Sequence, residues 1–152
     1  MNNSRLQSEI FALKQDGYSD KQFRFLHTGT SSECLMFAMK TNSGKVYTLR
    51  IDIPLDYPNS IPAVYITNPK PLRTRSGALI PELSTSMHTL QSKDGCVRIC
   101  HYGPNSWSPR QTLSKVVMKC RIWLEVYESH LQTGKPIGDI LKHDPNTERR
   151  LY

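Results

Sequence analysis

Apolar residues recur along this chain in more than one rhythm, and each rhythm predicts a different element. Over residues 4–16, Leu6, Ile10 and Leu13 fall four and three apart, on one face of an amphipathic helix that Gly17 would stop. The period then shortens to two. Phe23 and Phe25 alternate with Arg24, and residues 33–40 are apolar on both faces. The turn Thr41-Asn42-Ser43-Gly44 leads into the clearest strand, residues 45–53. There Tyr47, Leu49, Ile51 and Ile53 take one face, while Val46, Thr48, Arg50 and Asp52 take the other. A proline-rich link from Pro54 to Pro62 precedes a short strand at residues 63–67.

From Asn68 to Asn105 neither period persists, so this stretch reads as one long loop. Compact domains seldom carry such a loop unless it has a function. Helical spacing returns after it. Ser108 fits an N-cap, Pro109 fits the first helical position, and Gln111 completes a capping box. The stripe that follows is Leu113, Val116, Val117, Cys120, Trp123, Leu124, Tyr127 and Leu131, a broad face for packing on a sheet, and Thr133-Gly134 ends it. Residues 137–141 predict a last helical turn before a polar tail at about 144–152. The predicted layout is α+β: an N-terminal helix, a four-stranded antiparallel meander, a cysteine-bearing loop and a long C-terminal helix. A chain of 152 residues fits one such domain, spanning 1–152.

Composition narrows the class. The chain is 38% hydrophobic and 22% charged, as expected of a globular protein. The N-terminus lacks the apolar run of a signal peptide, and no stretch approaches transmembrane length, so a cytoplasmic location and no membrane partner are expected. In that compartment Cys34, Cys96, Cys100 and Cys120 would be free thiols. The net charge of +7 would suit an acidic protein partner, but the basic residues form no dense cluster, and specific nucleic-acid binding is not expected. Lys115 and Lys119, one turn apart, read as part of a solvated face.

The candidate chemistry lies in Val97-Arg98-Ile99-Cys100-His101-Tyr102. Most free cysteines are small buried hydrophobes. Cys100 differs in its predicted loop position, shortly before a helix start, and in its basic neighbours Arg98 and His101. Such surroundings lower a thiol's pKa from its free value of about 8.5 and so raise its thiolate fraction. Cys120 falls on the apolar helix face and Cys34 on a strand, so both read as core. Cys96 reads as a spectator, with a redox partnership to Cys100 as its alternative. His101 could tune the thiol or orient a nucleophile, and His88 could brace the loop. A zinc site built from His88, Cys96, Cys100 and His101 is a minority reading, because adjacent Cys100 and His101 would struggle to bind one ion.

Two groups of residues carry a family resemblance. Tyr57-Pro58 with Pro62 resembles the Tyr-Pro…Pro signature of ubiquitin-conjugating enzymes. Ile99-Cys100, followed by Trp107-Ser108-Pro109, resembles their active-site Ile-Cys-Leu…Trp-Ser-Pro segment. The element order is similar too, over about residues 4–131. The C-terminal part, from Trp123-Leu124-Glu125-Val126-Tyr127-Glu128 through Leu131-Gln132-Thr133-Gly134-Lys135 to His143, resembles a bacterial branch. That branch occurs in anti-phage operons of the CBASS type, beside a cGAS-like nucleotidyltransferase.

The resemblance implies the ubiquitin-conjugating-enzyme fold and a transferase with Cys100 as thioester nucleophile. It also implies no cofactor or metal, and a cGAS-like nucleotidyltransferase as the cargo whose C-terminal carboxyl is carried. A Gly-rich nucleotide loop is absent, so activation would fall to a separate activating enzyme. The chain departs from the family in two places. Where the family has His-Pro-Asn, this sequence has His88-Thr89-Leu90 without an asparagine, and His101 replaces the leucine after the cysteine. The oxyanion donor of the transfer step is therefore open. The alternative is a non-catalytic partner-binding module of the same fold.

Overall fold

The computed structural model describes residues 1–103 and 105–141. The predicted tail at 144–152 and His143 lie outside them. The chain opens with helix α1 (Asn3–Gln15), whose N-cap Asn2 accepts a hydrogen bond from the Arg5 amide at 2.8 Å. It closes as the sequence predicts. Gly17 has φ +93°, and the Tyr18 amide reaches back to the Leu13 carbonyl at 3.1 Å, a Schellman-type stop.

Six strands follow: β1 (Phe23–Leu26), β2 (Cys34–Lys40), β3 (Val46–Asp52), β4 (Ala63–Asn68), β5 (Thr89–Lys93) and β6 (Cys96–Ile99). They form one antiparallel sheet in the order β1-β2-β3-β4-β6-β5. Helix α2 (Leu113–Thr133) and the short α3 (Ile137–Ile140) complete the chain. The architecture is α+β, as predicted, but the sheet has six strands rather than four.

The two added strands lie inside the stretch that reads as loop. They are joined by Asp94 and Gly95, both with positive φ (+53° and +75°), in the two-residue geometry that Asp-Gly favours in hairpins. The apolar period misses them for a physical reason. β5 sits at the sheet edge and has one large apolar residue, Leu90, while β6 is only four residues long.

Alternation sorts the sheet's faces. Leu35, Phe37 and Met39 of β2 are buried with Tyr47, Leu49 and Ile51 of β3, Val64 and Ile66 of β4, and Val97 and Ile99 of β6. These residues share one hydrophobic cluster with Leu13 of α1 and with Leu113, Val116, Val117, Cys120, Trp123, Leu124 and Tyr127 of α2. The predicted helical stripe is thus the packing face.

The N-terminus of α2 corrects the predicted cap. The helix begins at Leu113 with Thr112 as N-cap, whose hydroxyl accepts from the Lys115 amide at 3.2 Å. Ser108 instead closes a separate turn, accepting from the Gln111 amide through its carbonyl at 2.9 Å. A second cap comes from α1. Glu9, 1% exposed, takes the Leu113 amide at 2.8 Å on one carboxylate oxygen; on the other it takes the Tyr57 hydroxyl at 2.6 Å and Arg5 Nε at 2.8 Å. Lys119 is buried, with Nζ 3.8 Å from the centroid of the Tyr102 ring, so it does not belong to a solvated face.

Candidate functional site

Cys100 follows directly on β6, so it ends a strand instead of sitting mid-loop. Its amide donates to the His88 carbonyl at 3.0 Å, one step beyond the Thr89↔Ile99 pair of the β5–β6 ladder. The same carbonyl accepts the indole N–H of Trp123 at 3.0 Å. Trp123 is fully buried on α2. One oxygen therefore ties the candidate nucleophile's backbone to the central helix. His88 offers that oxygen from a left-handed backbone, φ +50°, which a residue with a Cβ seldom adopts without outside support.

The segment ahead of His88 folds into a hydrogen-bonded wall. Ser84 and Thr89 exchange contacts: the Thr89 amide donates to the Ser84 carbonyl at 3.0 Å, and the Ser84 amide donates to Thr89 Oγ1 at 3.2 Å. Thr89 Oγ1 donates in turn to the Pro81 carbonyl at 2.6 Å, and Ser84 Oγ accepts from the Met87 amide at 3.1 Å. The amide of Gly138, in α3, closes the wall from behind by donating to the Ser86 carbonyl at 2.6 Å. A Cβ at residue 138 would stand 2.7 Å from the Thr85 carbonyl oxygen, so only glycine permits this approach.

Between this wall and Cys100 lies a cavity of about 250 Å³, lined by Leu83, Ser84, Thr85, His88, Thr89, Leu90 and Cys100. Cys100 is the partly exposed cysteine; Cys34, Cys96 and Cys120 are buried. Burial raises the Cys120 thiol far above its ordinary pKa and also raises that of Cys34, which holds both in the unreactive thiol form. Cys96 and Cys100 are four residues apart in extended chain, roughly 13 Å. A disulfide needs Cα atoms within about 7 Å, so the redox partnership fails on geometry.

The other residues singled out in the sequence occupy different places. His88 lines the cavity. His101 does not: it is buried, with Nδ1 3.3 Å from the Ile99 carbonyl and its ring edge-on to Tyr102. The Arg98 guanidinium lies over the Tyr65 ring at 5.9 Å. Tyr102 meets Trp107 edge-on at 5.1 Å, and the Trp107 indole donates to the Pro58 carbonyl at 2.8 Å. Trp107 thereby anchors the segment after Cys100 to the proline-rich link. Among the described residues, no three His, Cys, Asp or Glu side chains converge well enough to hold a metal ion. No helix among them is long and apolar enough to cross a membrane.

Sequence reasoning missed the pinning role of the His88 carbonyl, which belongs to the backbone and has no sequence signal. It also missed Glu9, which shares the inward face of α1 with Leu13 but is of a charged type that is seldom buried unless paired. The Asp94-Gly95 hairpin signal was there to be found, and it brings β5, and with it the wall, against Cys100.

What this arrangement can do chemically follows from its parts: a partly exposed cysteine on a hydrogen-bonded backbone, lining a concavity of about 250 Å³. Compared with known proteins, the chain matches no family model, no curated protein and no solved structure.

Proposed function

We propose that this chain is a protein-conjugating transferase of the ubiquitin-conjugating type, with that family's fold, and that Cys100 carries an acyl group as a thioester. The observation that carries the reading is the contrast among the cysteines. Three are buried, while Cys100 is partly exposed and lines a cavity. A structural thiol needs neither feature, whereas a carrier thiol must be open to the acyl donor and the acceptor.

The cargo in this reading is the C-terminal carboxyl of a partner protein, a cGAS-like nucleotidyltransferase, activated by a separate enzyme and passed to an acceptor in anti-phage defence. The setting is the cytoplasm. Sulfur suits the task because a thioester acylates an amine readily, whereas the oxygen ester formed on a serine resists transfer.

Intact-mass spectrometry of the chain co-expressed with its genomic neighbours tests the proposal. A thiol-labile acyl adduct should appear on the wild type, persist as a thiol-resistant ester on Cys100→Ser and vanish in Cys100→Ala. No adduct on Cys100, or conjugation that survives Cys100→Ala, would overturn the carrier reading, whereas full biological activity of Cys100→Ser with unchanged partner affinity would favour the binding-module alternative.

A further inference from the structure

From the wall of the Cys100 cavity we infer the oxyanion donor that the sequence leaves open: the Thr85 hydroxyl donates a hydrogen bond to the oxygen of the thioester carbonyl when that carbonyl is attacked. The inference rests on the carrier reading and adds a residue to it.

Acyl transfer at a thioester passes through a tetrahedral centre whose oxygen carries negative charge. A donor held beside the sulfur before that charge develops stabilises it without reorganising. Such a donor shares the cavity with Cys100, has a hydrogen not already spent within the fold, and sits on a fixed backbone. The polar side chains lining the cavity are those of Ser84, Thr85, His88 and Thr89. Thr89 gives its one hydroxyl hydrogen to the Pro81 carbonyl at 2.6 Å. Ser84 Oγ accepts from the Met87 amide and pairs with the Ser86 hydroxyl, each at 3.1 Å. The Thr85 hydroxyl has no hydrogen-bond partner among the described residues, and Thr85 is exposed, open to an arriving substrate. His88 is buried, and its imidazole is the competing donor.

The Thr85 backbone is held from two sides. Its carbonyl accepts from the His88 amide at 3.4 Å, and a Cβ on Gly138 of α3 would stand 2.7 Å from the same oxygen. The next carbonyl, that of Ser86, takes the Gly138 amide at 2.6 Å. On a backbone fixed in this way, the hydroxyl oxygen is placed by one staggered torsion, χ1.

The transfer step needs no co-reactant beyond the amine. The amine lone pair adds to the thioester carbon, and the carbonyl pair moves onto oxygen, where the Thr85 O–H meets it. Threonine keeps its proton. The pair then returns, the C–S bond breaks, and Cys100 leaves as the thiolate while the ammonium proton passes to solvent. Loading from a donor thioester forms the same oxyanion, with the Cys100 thiolate as nucleophile and the donor thiolate as leaving group.

The probe is N-acetylglycine activated as its 2-mercaptoethanesulfonate thioester. Loading of Cys100 is followed by intact mass, with Cys100→Ala as blank, and discharge is followed after addition of excess free lysine. Thr85→Val keeps the β-branched shape without the hydroxyl, and it should slow loading and discharge roughly a hundredfold. Thr85→Ser should bring both to within about fivefold of the wild type. Alkylation of Cys100 by iodoacetamide displaces iodide at a saturated carbon and forms no oxyanion, so Thr85→Val should leave its rate within about twofold. Wild-type acylation rates in Thr85→Val, or alkylation that falls in step with acylation, overturn the assignment and leave the carrier reading standing. Acylation slowed in His88→Asn but not in Thr85→Val gives the role to the imidazole and overturns it likewise. No adduct on the wild type, with iodoacetamide still alkylating Cys100, overturns the carrier reading and the assignment with it.

Discussion

Glu9 shows how much one side chain can organise. Its carboxylate, 1% exposed, joins the start of α2 to Tyr57 in the proline-rich link and to Arg5 on its own helix. Removing it strands a buried hydroxyl and a buried amide, each of which costs about 1–3 kcal/mol when left without an acceptor. Glu9→Ala should therefore lower unfolding stability by roughly 3 kcal/mol or more in a urea titration, a large loss for a surface helix. Helical spacing places it on the same face as Leu6, Ile10 and Leu13, but a carboxylate is seldom buried unless paired, and its partners Tyr57 and Leu113 lie far along the chain. Lys119 is the same kind of case. Its burial over Tyr102 depends on where the residues after Cys100 fold back, which no local pattern encodes.

Elements were legible in proportion to how completely their own residues bury one face. β3 alternates without a break, and its inward residues Tyr47, Leu49 and Ile51 are all fully buried. The α2 stripe likewise delivers Val116, Val117, Cys120, Trp123 and Leu124 to the core. β5 and β6 fail the same test because an edge hairpin stacked on β4 takes its stability from cross-strand pairing and the Asp94-Gly95 turn. The start of α2 was misplaced because Ser108-Pro109 is a good turn as well as a good cap. The two sites differ in consequence. Thr112→Ala should cost about 1 kcal/mol by thermal unfolding, whereas Ser108→Ala should cost a fraction of that. An equal loss at both positions would mean that the helix effectively begins earlier.

At the level of the whole molecule, the fold keeps several phenols neutral. Burial raises the pKa of Tyr18, Tyr47, Tyr57 and Tyr127, and for Tyr57 the neighbouring Glu9 adds to the effect. The sign of the linkage is fixed by which state binds more protons. Below about pH 10 both states hold the phenolic proton, and the contribution is present in full. Above it the unfolded chain ionises first, so stability falls as pH rises, most steeply through the strongly shifted Tyr47 and Tyr57, each contributing up to about 1.4 kcal/mol per pH unit. Chemical denaturation between pH 9 and 11 should show this decline, and Tyr57→Phe should make it shallower. Since Tyr57 also bridges α1 to the link that seats Trp107, alkaline loss of structure should loosen the segment after Cys100 early.

The oxygen shared between Cys100 and Trp123 has one more consequence. The chain has two tryptophans, and one of them donates its indole N–H to the carbonyl that also holds the candidate nucleophile's amide. Indole emission responds to the strength of that hydrogen bond and to the field around the ring. A shift of the Cys100 backbone on acylation would therefore be felt at Trp123 within a single hydrogen-bond link. With Trp107 replaced by phenylalanine, the protein would carry its own optical reporter. Loading and discharge of the thiol could then be followed in real time, without a label, from the buried side of the sheet.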